Sequence, residues 1–246
     1  MSDAPPLLAT RALTLAAAGR ELVRSLDWRV GPGQRWCVIG RNAAGKSTLL
    51  RALAGVSEIG VSQRGAIDWQ GRPQHDWSAV DAAALRAFMP QQAIDRFPIT
   101  VARLLELSVV RPRHDARAAL AALDLEPLAA RPVLELSGGE RQRVALAQCV
   151  LQGAPLLLLD EPVAFQDPAH QALVARWLGL SLPRDQALVI SAHDVNWIAR
   201  TATHVLALLP TGQCEQGVTA DLLEAGLLER VYGCEWREVG GVWVAD

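Results

Sequence analysis

Gly40-Arg41-Asn42-Ala43-Ala44-Gly45-Lys46-Ser47 is the stretch that decides the fold of this chain. It matches G-x-x-x-x-G-K-[ST], the pattern of a phosphate-binding P-loop. The apolar run over residues 35–39 predicts a buried strand before the loop, and residues 48–54 predict a helix that ends at Gly55. Backbone N–H groups and the positive end of the helix dipole favour anions at such a turn. The stretch therefore predicts a phosphate site.

Two side chains of this loop carry chemistry. Lys46 is placed to reach the β- and γ-phosphates of a nucleotide, and the Ser47 hydroxyl is placed to hold Mg²⁺. The other residues that we expect around the phosphates are Gly40, Asn42, Ala43, Ala44, Gly45 and Thr48. The alternative is a glycine-rich turn between a core strand and an ordinary helix. The motif alone does not say which class of P-loop enzyme carries it.

Composition limits the classes of protein that this chain can belong to. Half of the 246 residues are hydrophobic, and the formal net charge is −2 at pH 7. Lys and Arg are spread without a basic block, so we expect no nucleic-acid partner. The N-terminus lacks the charged and apolar regions of a signal peptide. The most apolar stretch, residues 144–159, is interrupted by Gly153 and Pro155 and is too short to span a bilayer. We expect a soluble chain.

The cysteines suggest neither a metal site nor a disulfide framework. The four are far apart and none forms a C-x-x-C pair; they are Cys37, Cys149, Cys214 and Cys234. This pattern is typical of reduced thiols in a cytosolic protein.

The remaining pattern predicts alternating strands and helices after an antiparallel start. Strands are expected within residues 7–30 and at 65–71, 85–89, 156–159, 187–190 and 204–209. Helices are expected at 101–107, 116–123, 137–151, 167–182 and 194–201. Alternation of this kind predicts a parallel α/β sheet. We interpret residues 1–246 as a single domain, with a helical subdomain inserted at about residues 92–152.

A second motif, Leu156-Leu157-Leu158-Leu159-Asp160-Glu161-Pro162, places two carboxylates at the end of a buried strand. Ligands bind at the carboxyl ends of strands in open α/β sheets. In P-loop enzymes the first carboxylate, here Asp160, holds Mg²⁺ through water. Glu161 is then placed to accept a proton from the attacking water. The alternative is a strand that ends in a solvated acidic turn.

A third motif, Leu136-Ser137-Gly138-Gly139-Glu140-Arg141-Gln142-Arg143, begins the third predicted helix. Ser137 with Glu140 three residues later is a capping-box pattern, which needs no ligand. Two consecutive glycines, however, weaken the start of a helix. They are explained if a phosphate must approach the backbone of Ser137, Gly138 and Gly139 closely.

With these motifs in this order, the chain resembles the ATP-binding-cassette (ABC) ATPases over nearly its whole length. The resemblance implies the P-loop NTPase fold, with a RecA-like, mostly parallel sheet, an N-terminal antiparallel β subdomain and the inserted helical subdomain. It implies a head-to-tail homodimer that holds two ATP molecules with Mg²⁺. Each ATP would contact Lys46, Ser47 and Asp160 of one subunit and Ser137 and Gly139 of the other.

The resemblance also assigns roles to three residues whose own patterns are weak. Gln91 would touch Mg²⁺ and the attacking water, a role that its position after an apolar strand fits; the alternative is a plain surface amide. His193 would contact the γ-phosphate, whereas a lone histidine is more often structural or exposed. Asp167 would couple the two active sites, and it also suits the cap of the helix that begins at Pro168.

Four departures from the family pattern stand beside the matches. The family usually has Pro and Gly where this chain has Arg41 and Ala43, and Leu where it has Gln166. No aromatic residue lies near Ala16-Ala17-Ala18, where many members stack a ring on adenine. Since stacking on a nucleobase contributes about 1–3 kcal/mol, we expect weaker recognition of the base.

Residues 71–92 and 222–244 resemble the ATPases of importers for vitamin B12, haem and iron-siderophores. That resemblance implies a separate transmembrane permease, an indirect link to a periplasmic or extracellular substrate-binding protein, and a peripheral position on the cytoplasmic face of the inner membrane. Residues 92–107, with Phe97-Pro98, would receive a short permease helix, or would equally form buried helical core. The alternatives are an exporter subunit and a non-transport ATPase of assembly or nucleic-acid maintenance.

Overall fold

The computed structural model describes residues 5–92, 97–110, 115–164 and 166–246. Its strands are β1 (Leu8–Ala17), β2 (Arg20–Val30), β3 (Arg35–Ile39), β4 (Val61–Trp69), β5 (Arg72–Pro73), β6 (Arg86–Met89), β7 (Leu156–Asp160), β8 (Ala187–Ser191), β9 (His204–Leu208), β10 (Cys214–Val218), β11 (Trp236–Val239) and β12 (Val242–Ala245). Its helices are α1 (Lys46–Leu53), α2 (Ala79–Leu85), α3 (Val101–Ser108), α4 (Ala116–Ala122), α5 (Gly138–Leu151), α6 (Pro168–Ser181), α7 (Val195–Thr201), α8 (Thr219–Leu222) and α9 (Ala225–Tyr232).

The central sheet has six strands in the order β10-β9-β3-β8-β7-β6, and all its pairings are parallel except that of β10 with β9. Every residue of β7 and β8 is buried, as expected for strands covered by helices on both faces. Because these strands are parallel, β3, β7 and β8 end at the same edge of the sheet. The P-loop, Glu161 and His193 follow those three ends and are therefore brought together.

The sheet has an apolar core on each face, because neighbouring residues of a strand point to opposite sides. Trp36 and Val38 of β3 belong to a core shared with α1 and the N-terminal strands. Cys37 and Ile39 belong to a second core, which includes buried residues of α3, α4, α5, α6, α7 and α9.

The N-terminal strands form a separate antiparallel sheet in the order β2-β1-β4-β5. β1 lies between β2 and β4, and the pairing of β1 with β4 shifts register between Arg11 and Thr14. This sheet packs against α1, so one of its faces covers the helix that follows the P-loop.

Helices occupy the chain between β6 and β7. α5 is the longest of this group and lies against α3 and α4. Its cap has the predicted form: the Ser137 hydroxyl accepts from the Glu140 N–H, and the Glu140 carboxylate accepts from the Ser137 N–H. The bounds 92–152 for a helical subdomain stay a prediction.

The predicted fold class is confirmed, and the differences concern element ends, β5 and α2, which were not predicted, and the C-terminal part. α1 begins at Lys46, inside the motif, because the loop backbone turns at Gly45 into the first helical residue. The strand expected at 65–71 spans Val61–Trp69. The elements from β10 to β12 were not predicted, since several of them are only four or five residues long and mostly exposed.

Two further observations concern membranes and thiols. Within the described ranges, no helix has both the length and the apolar character needed to cross a membrane. All four cysteines are free thiols, with Cys37 and Cys149 buried. Burial raises the pKa of the Cys214 thiol to about 11, so that thiol is uncharged at neutral pH.

Candidate nucleotide site

The P-loop joins β3 to α1 with a backbone that leaves little room for side chains. Gly45 has a φ of 104°, and a Cβ atom there would lie 2.8 Å from the Leu22 Cβ of β2. Only glycine suits that position. Ala43 also has a positive φ, 59°, although it carries a Cβ. The substitution noted in the sequence therefore lies where the backbone is left-handed.

The Lys46 ammonium lies inside this loop. Lys46 is buried, and its Nζ donates to the carbonyl oxygens of Gly40 at 2.9 Å and Arg41 at 3.2 Å. Burial lowers the pKa of Lys46, while the charges of Glu161 and Asp160 act in the opposite direction. The loop thus holds a cation beside the two carboxylates that end β7.

Asp160 is fully buried, and in the described part of the chain only one of its two oxygens has a partner. Oδ1 accepts a hydrogen bond of 2.6 Å from the Ser191 hydroxyl, whereas Oδ2 is buried without one. A buried carboxylate oxygen without a partner is costly, and Mg²⁺ is an oxygen-binding cation. Oδ2 and the Ser47 hydroxyl at the start of α1 therefore fit a Mg²⁺ site. Among the described residues no group of three His, Cys, Asp or Glu side chains surrounds a metal position, and a Mg²⁺ that keeps waters and phosphate oxygens needs none.

The three residues predicted to be catalytic lie in direct contact. The Glu161 carboxylate accepts from Gln91 Nε2 at 2.8 Å through Oε2 and contacts His193 Nε2 at 2.6 Å through Oε1. Since an ionised carboxylate only accepts, His193 Nε2 carries the proton. The hydrogen bond from His193 is the largest cause that lowers the pKa of Glu161, and Gln91 and Lys46 add to it. Glu161 is therefore ionised at neutral pH.

The backbone of Glu161 is held in an unusual conformation. Its φ is 51°, in the left-handed region that non-glycine residues rarely adopt. Its N–H donates to Ser191 Oγ at 2.9 Å, and its carbonyl accepts from Gln142 Nε2 at 2.9 Å. Ser191 thereby bonds to both Asp160 and Glu161, and Gln142 connects α5 to the same turn.

Three residues of the third motif lie at the surface of the single chain. Ser137 and Gly138 are exposed and Gly139 is partly exposed. The capping box uses the Ser137 N–H, and the N–H groups of Gly138 and Gly139 lie in the first turn of α5. Among the described residues, no hydrogen bond joins Ser137, Gly138 or Gly139 to the P-loop of the same chain.

Asp167 caps α6, as the sequence allowed, and has a further partner. Its Oδ1 accepts from the His170 N–H at 2.9 Å, and its Oδ2 lies 2.9 Å from His170 Nδ1. The hydrogen bond from the His170 N–H is the largest cause that lowers the pKa of Asp167. His170 Nε2 also lies 3.7 Å from an Asp124 oxygen, so this pair joins α6 to the segment after α4.

Three site residues were missed by sequence reasoning. Ser191 carried a usable signal, because it ends a buried strand two residues before His193. Gln142 had none, since a buried glutamine and an exposed one look alike in a helix. Leu22 had none either, because its position beside Gly45 depends on how β2 packs against the loop.

Besides Ala43, two further departures can be placed. Arg41 is exposed and its guanidinium lies beside Gly233, which ends α9. Ala16 and Ala17 end β1, and the turn that follows has positive φ at Ala18 and Gly19. No ring comes from this turn.

Comparison with known proteins agrees with this geometry. The family model described as ABC transporter matches residues 23–164. A hemin import ATP-binding protein HmuV of Streptomyces coelicolor is 38% identical over 236 residues, which cover 92% of this chain and 83% of that protein. The protein of that name from a Ruegeria species is 35% identical over 238 residues, with 92% and 90% covered.

Solved structures share the fold. An inward-facing metal-chelate type ABC transporter matches with a TM-score of 0.74 at 24% identity, covering 98% of this chain and 96% of that one. An ATP-binding subunit of another ABC transporter matches with a TM-score of 0.76 at 22% identity, covering 88% and 91%. The resemblance stated from the motifs is confirmed: this chain belongs to the ABC transporter family, as an ATP-binding ATPase.

Proposed function

We propose that this chain is the ATP-hydrolysing subunit of a bacterial importer for a metal chelate: haem, an iron-siderophore or cobalamin. The observation that carries the hydrolytic part is the contact of Glu161 with Gln91 and His193, beside Asp160 and Lys46. The support for the substrate class is the name of the curated relatives, hemin import ATP-binding protein. Haem is therefore the substrate to test first.

The proposed reaction relies on position and charge. Lys46 would bind the β- and γ-phosphates, and the loop backbone from Gly40 to Thr48 would surround them. Ser47, Asp160 and Gln91 would hold Mg²⁺, which supplies positive charge to the phosphate oxygens when bound. Glu161 would accept the proton of the attacking water, since its carboxylate is ionised and fixed by Gln91. His193 would orient Glu161 and contact the γ-phosphate.

A homodimer would complete each site. Ser137, Gly138 and Gly139 are exposed at the start of α5, where backbone N–H groups and the helix dipole favour a phosphate. In a head-to-tail pair they would face the P-loop of the partner. Asp167, at the start of α6, would lie near the same interface and couple the two sites.

The permease would bind in a groove of about 980 Å³, here called the docking groove. Its walls come from α2, α3 and α5 and include Val80, Ala83, Phe97, Leu104, Val110 and Cys149. Phe97 is 73% exposed and Val80 79% exposed, which is unusual for large apolar side chains close together. The exposed Phe97 supports the permease groove predicted for residues 92–107. The alternative, buried helical core, has support as well, because Val101 and Leu105 of α3 are buried. Residues 93–96 of the predicted stretch lie outside the described residues.

On this proposal the chain lies at the cytoplasmic face of the inner membrane and meets the substrate-binding protein only through the permease. Purification with an affinity tag from the native host tests the assembly. We expect a multi-span membrane protein to co-purify, and liposomes that contain the complex to take up external haem when ATP is enclosed inside them. Exclusively soluble partners would favour the non-transport alternative. Haem efflux in the same liposomes would favour the exporter.

The role of Glu161 is tested by Glu161→Gln. We expect ATP binding to remain and the hydrolysis rate to fall by about 100-fold or more, because general-base catalysis typically contributes that much. ATP should then accumulate in a stable dimer, visible by size-exclusion chromatography with Mg²⁺ and ATP. The exposed Glu238→Gln variant is the control and should behave as wild type. Near-normal turnover by Glu161→Gln would contradict the role given to Glu161.

A further inference from the structure

A second cleft, of about 600 Å³, lies between the N-terminal sheet and the segment that leads into β6. Its lining includes Gln63, Trp69, His75, Trp77 and Arg86. It is separate from the nucleotide site, because the two lie at opposite ends of the strands of the central sheet. Arg86 is the first residue of β6, whereas Gln91 follows the last residue of β6. The reaction proposed above uses none of these five residues.

Arg86 is a cation without a counter-charge among the described residues. Its guanidinium carbon lies 5.0 Å from the centroid of the Trp69 ring, and its Nε is buried without a hydrogen-bond partner. No carboxylate of the described chain forms an ion pair with it. Burial is the cause that lowers the pKa of Arg86. A partly buried, unpaired guanidinium is costly, and an anion would offset that cost.

The other charges around the cleft leave Arg86 unneutralised. Asp68 is the one carboxylate among the described residues of the lining, and it pairs with Arg11 at 3.0 Å. The Arg72 guanidinium carbon lies 5.4 Å from the centroid of the Trp77 ring. The cleft therefore combines positive charge with aromatic walls, in which Trp77 stands at 66° to the almost fully buried Trp69.

We propose that this cleft binds a small organic anion. Its carboxylate or phosphate would pair with the Arg86 guanidinium through charge-assisted hydrogen bonds. Its planar apolar part would lie against the exposed side of Trp77. The cleft volume is in the range usual for small-molecule sites, about 300–1,000 Å³.

The test uses benzoate and phenyl phosphate as probes on the full chain. The chain is first saturated with MgADP, so that the phosphate group of the second probe does not bind at the P-loop. Binding is measured by calorimetry and by the shift in melting temperature. We expect saturable binding of at least one probe, and the tighter probe identifies the anionic group as carboxylate or phosphate. In Arg86→Met, which keeps the aliphatic stem, binding should weaken at least about tenfold because a charge-assisted hydrogen bond is lost.

Arg64→Met is the matched control, since Arg64 is an exposed arginine of β4 that does not line the cleft. It should bind the probes as wild type does. If Arg86→Met does not fold, Trp77→Leu replaces it and should weaken both probes by removing the ring. The proposal is overturned if wild type binds neither probe saturably, or if Arg86→Met and Trp77→Leu bind as wild type does. Benzoate binding is also measured without ADP, so the outcome does not depend on the proposed ATPase role.

Discussion

Ala43 shows how a single residue departs from an otherwise regular P-loop. Its φ of 59° is left-handed, where a side chain costs about 1–2 kcal/mol and glycine costs nothing. Glycine also has more conformational freedom than alanine in the unfolded chain, which lowers the free energy of unfolding of the glycine variant by about 0.4–1 kcal/mol. The two effects leave a small balance in favour of glycine.

We therefore expect Ala43→Gly to raise the free energy of unfolding by about 0.5–1 kcal/mol, measured by urea denaturation. Ala44→Gly is the control: Ala44 is buried and has no positive φ, so the same change should lower stability. A loss of stability in Ala43→Gly would contradict the conformation described for this loop.

Gln142 connects the start of α5 to the catalytic turn. It is buried, and its amide donates to the carbonyl of Glu161, whose backbone is left-handed. The helix that carries Ser137 and Gly139 is thereby bonded to the proposed base of its own chain. A change in the position of α5 would therefore act directly on the backbone carbonyl of Glu161.

Gln142→Leu should lower kcat at least tenfold and leave the KM for ATP within about twofold, because the P-loop is untouched while the buried carbonyl loses its partner, a change of about 1–3 kcal/mol. Steady-state ATPase kinetics measure both constants. Gln148→Leu makes the same change elsewhere on α5 and should leave both unchanged. If kcat of Gln142→Leu matched that of wild type, Gln142 would have only a structural role.

At the scale of elements, the register shift between β1 and β4 depends on one glycine. Gly65 has a φ of 84°, and a Cβ there would lie 2.4 Å from the Ala12 carbonyl oxygen and 2.5 Å from that of Arg11. Both obstacles are backbone atoms of β1, an inner strand of the sheet. Moving them would displace β1 between Thr10 and Leu13, which pair with β2 on either side.

Gly65→Ala should therefore lower the free energy of unfolding by at least about 2 kcal/mol, since strain and a backbone clash add. Gly60→Ala separates the two contributions: its φ is 82°, but nothing lies within 4 Å of a Cβ there. It should cost only about 1 kcal/mol. If urea denaturation showed equal losses of unfolding free energy in Gly65→Ala and Gly60→Ala, the clash at Gly65 would be relieved at no cost.

The elements themselves were largely predictable. The buried strands β7 and β8 are continuous apolar runs, and α5 begins with a capping box that the sequence displays openly. β11 and β12 were missed because each has four residues and only Trp236 and Trp243 are drawn toward the core. Their position depends on hydrogen bonds between Asn196 of α7 and the Trp243 backbone, which no local pattern reveals.

At the scale of the whole molecule, the docking groove makes an assembly prediction. Val80→Asp should reduce the amount of co-purified permease at least tenfold, because a charge replaces an apolar contact in the groove. Stability should change by no more than about 0.5 kcal/mol, since Val80 is largely exposed. Ile59→Asp is the control: Ile59 is fully exposed but does not line the groove. Unchanged co-purification with Val80→Asp would place the permease elsewhere.

Local sequence was enough to predict the P-loop, the two carboxylates at the end of β7 and the helix cap at Ser137, because each depends on residues that are neighbours in the chain. Local patterns also predicted the alternation of strands and helices. From these the family followed, and with it the expectation of an ATPase. Such features are set by spacing, propensity and short-range hydrogen bonds.

Only the tertiary structure decided which distant residues meet. The parallel sheet places Gln91, Glu161 and His193 in contact although they are far apart in the chain. It also fixes Glu161 in a left-handed backbone. Among the described residues, it gives the Asp160 carboxylate a single hydrogen-bond partner, Ser191, and leaves Arg86 without a carboxylate. The physical reason is that burial and charge pairing depend on strand order and packing, which bring together groups that no local pattern relates.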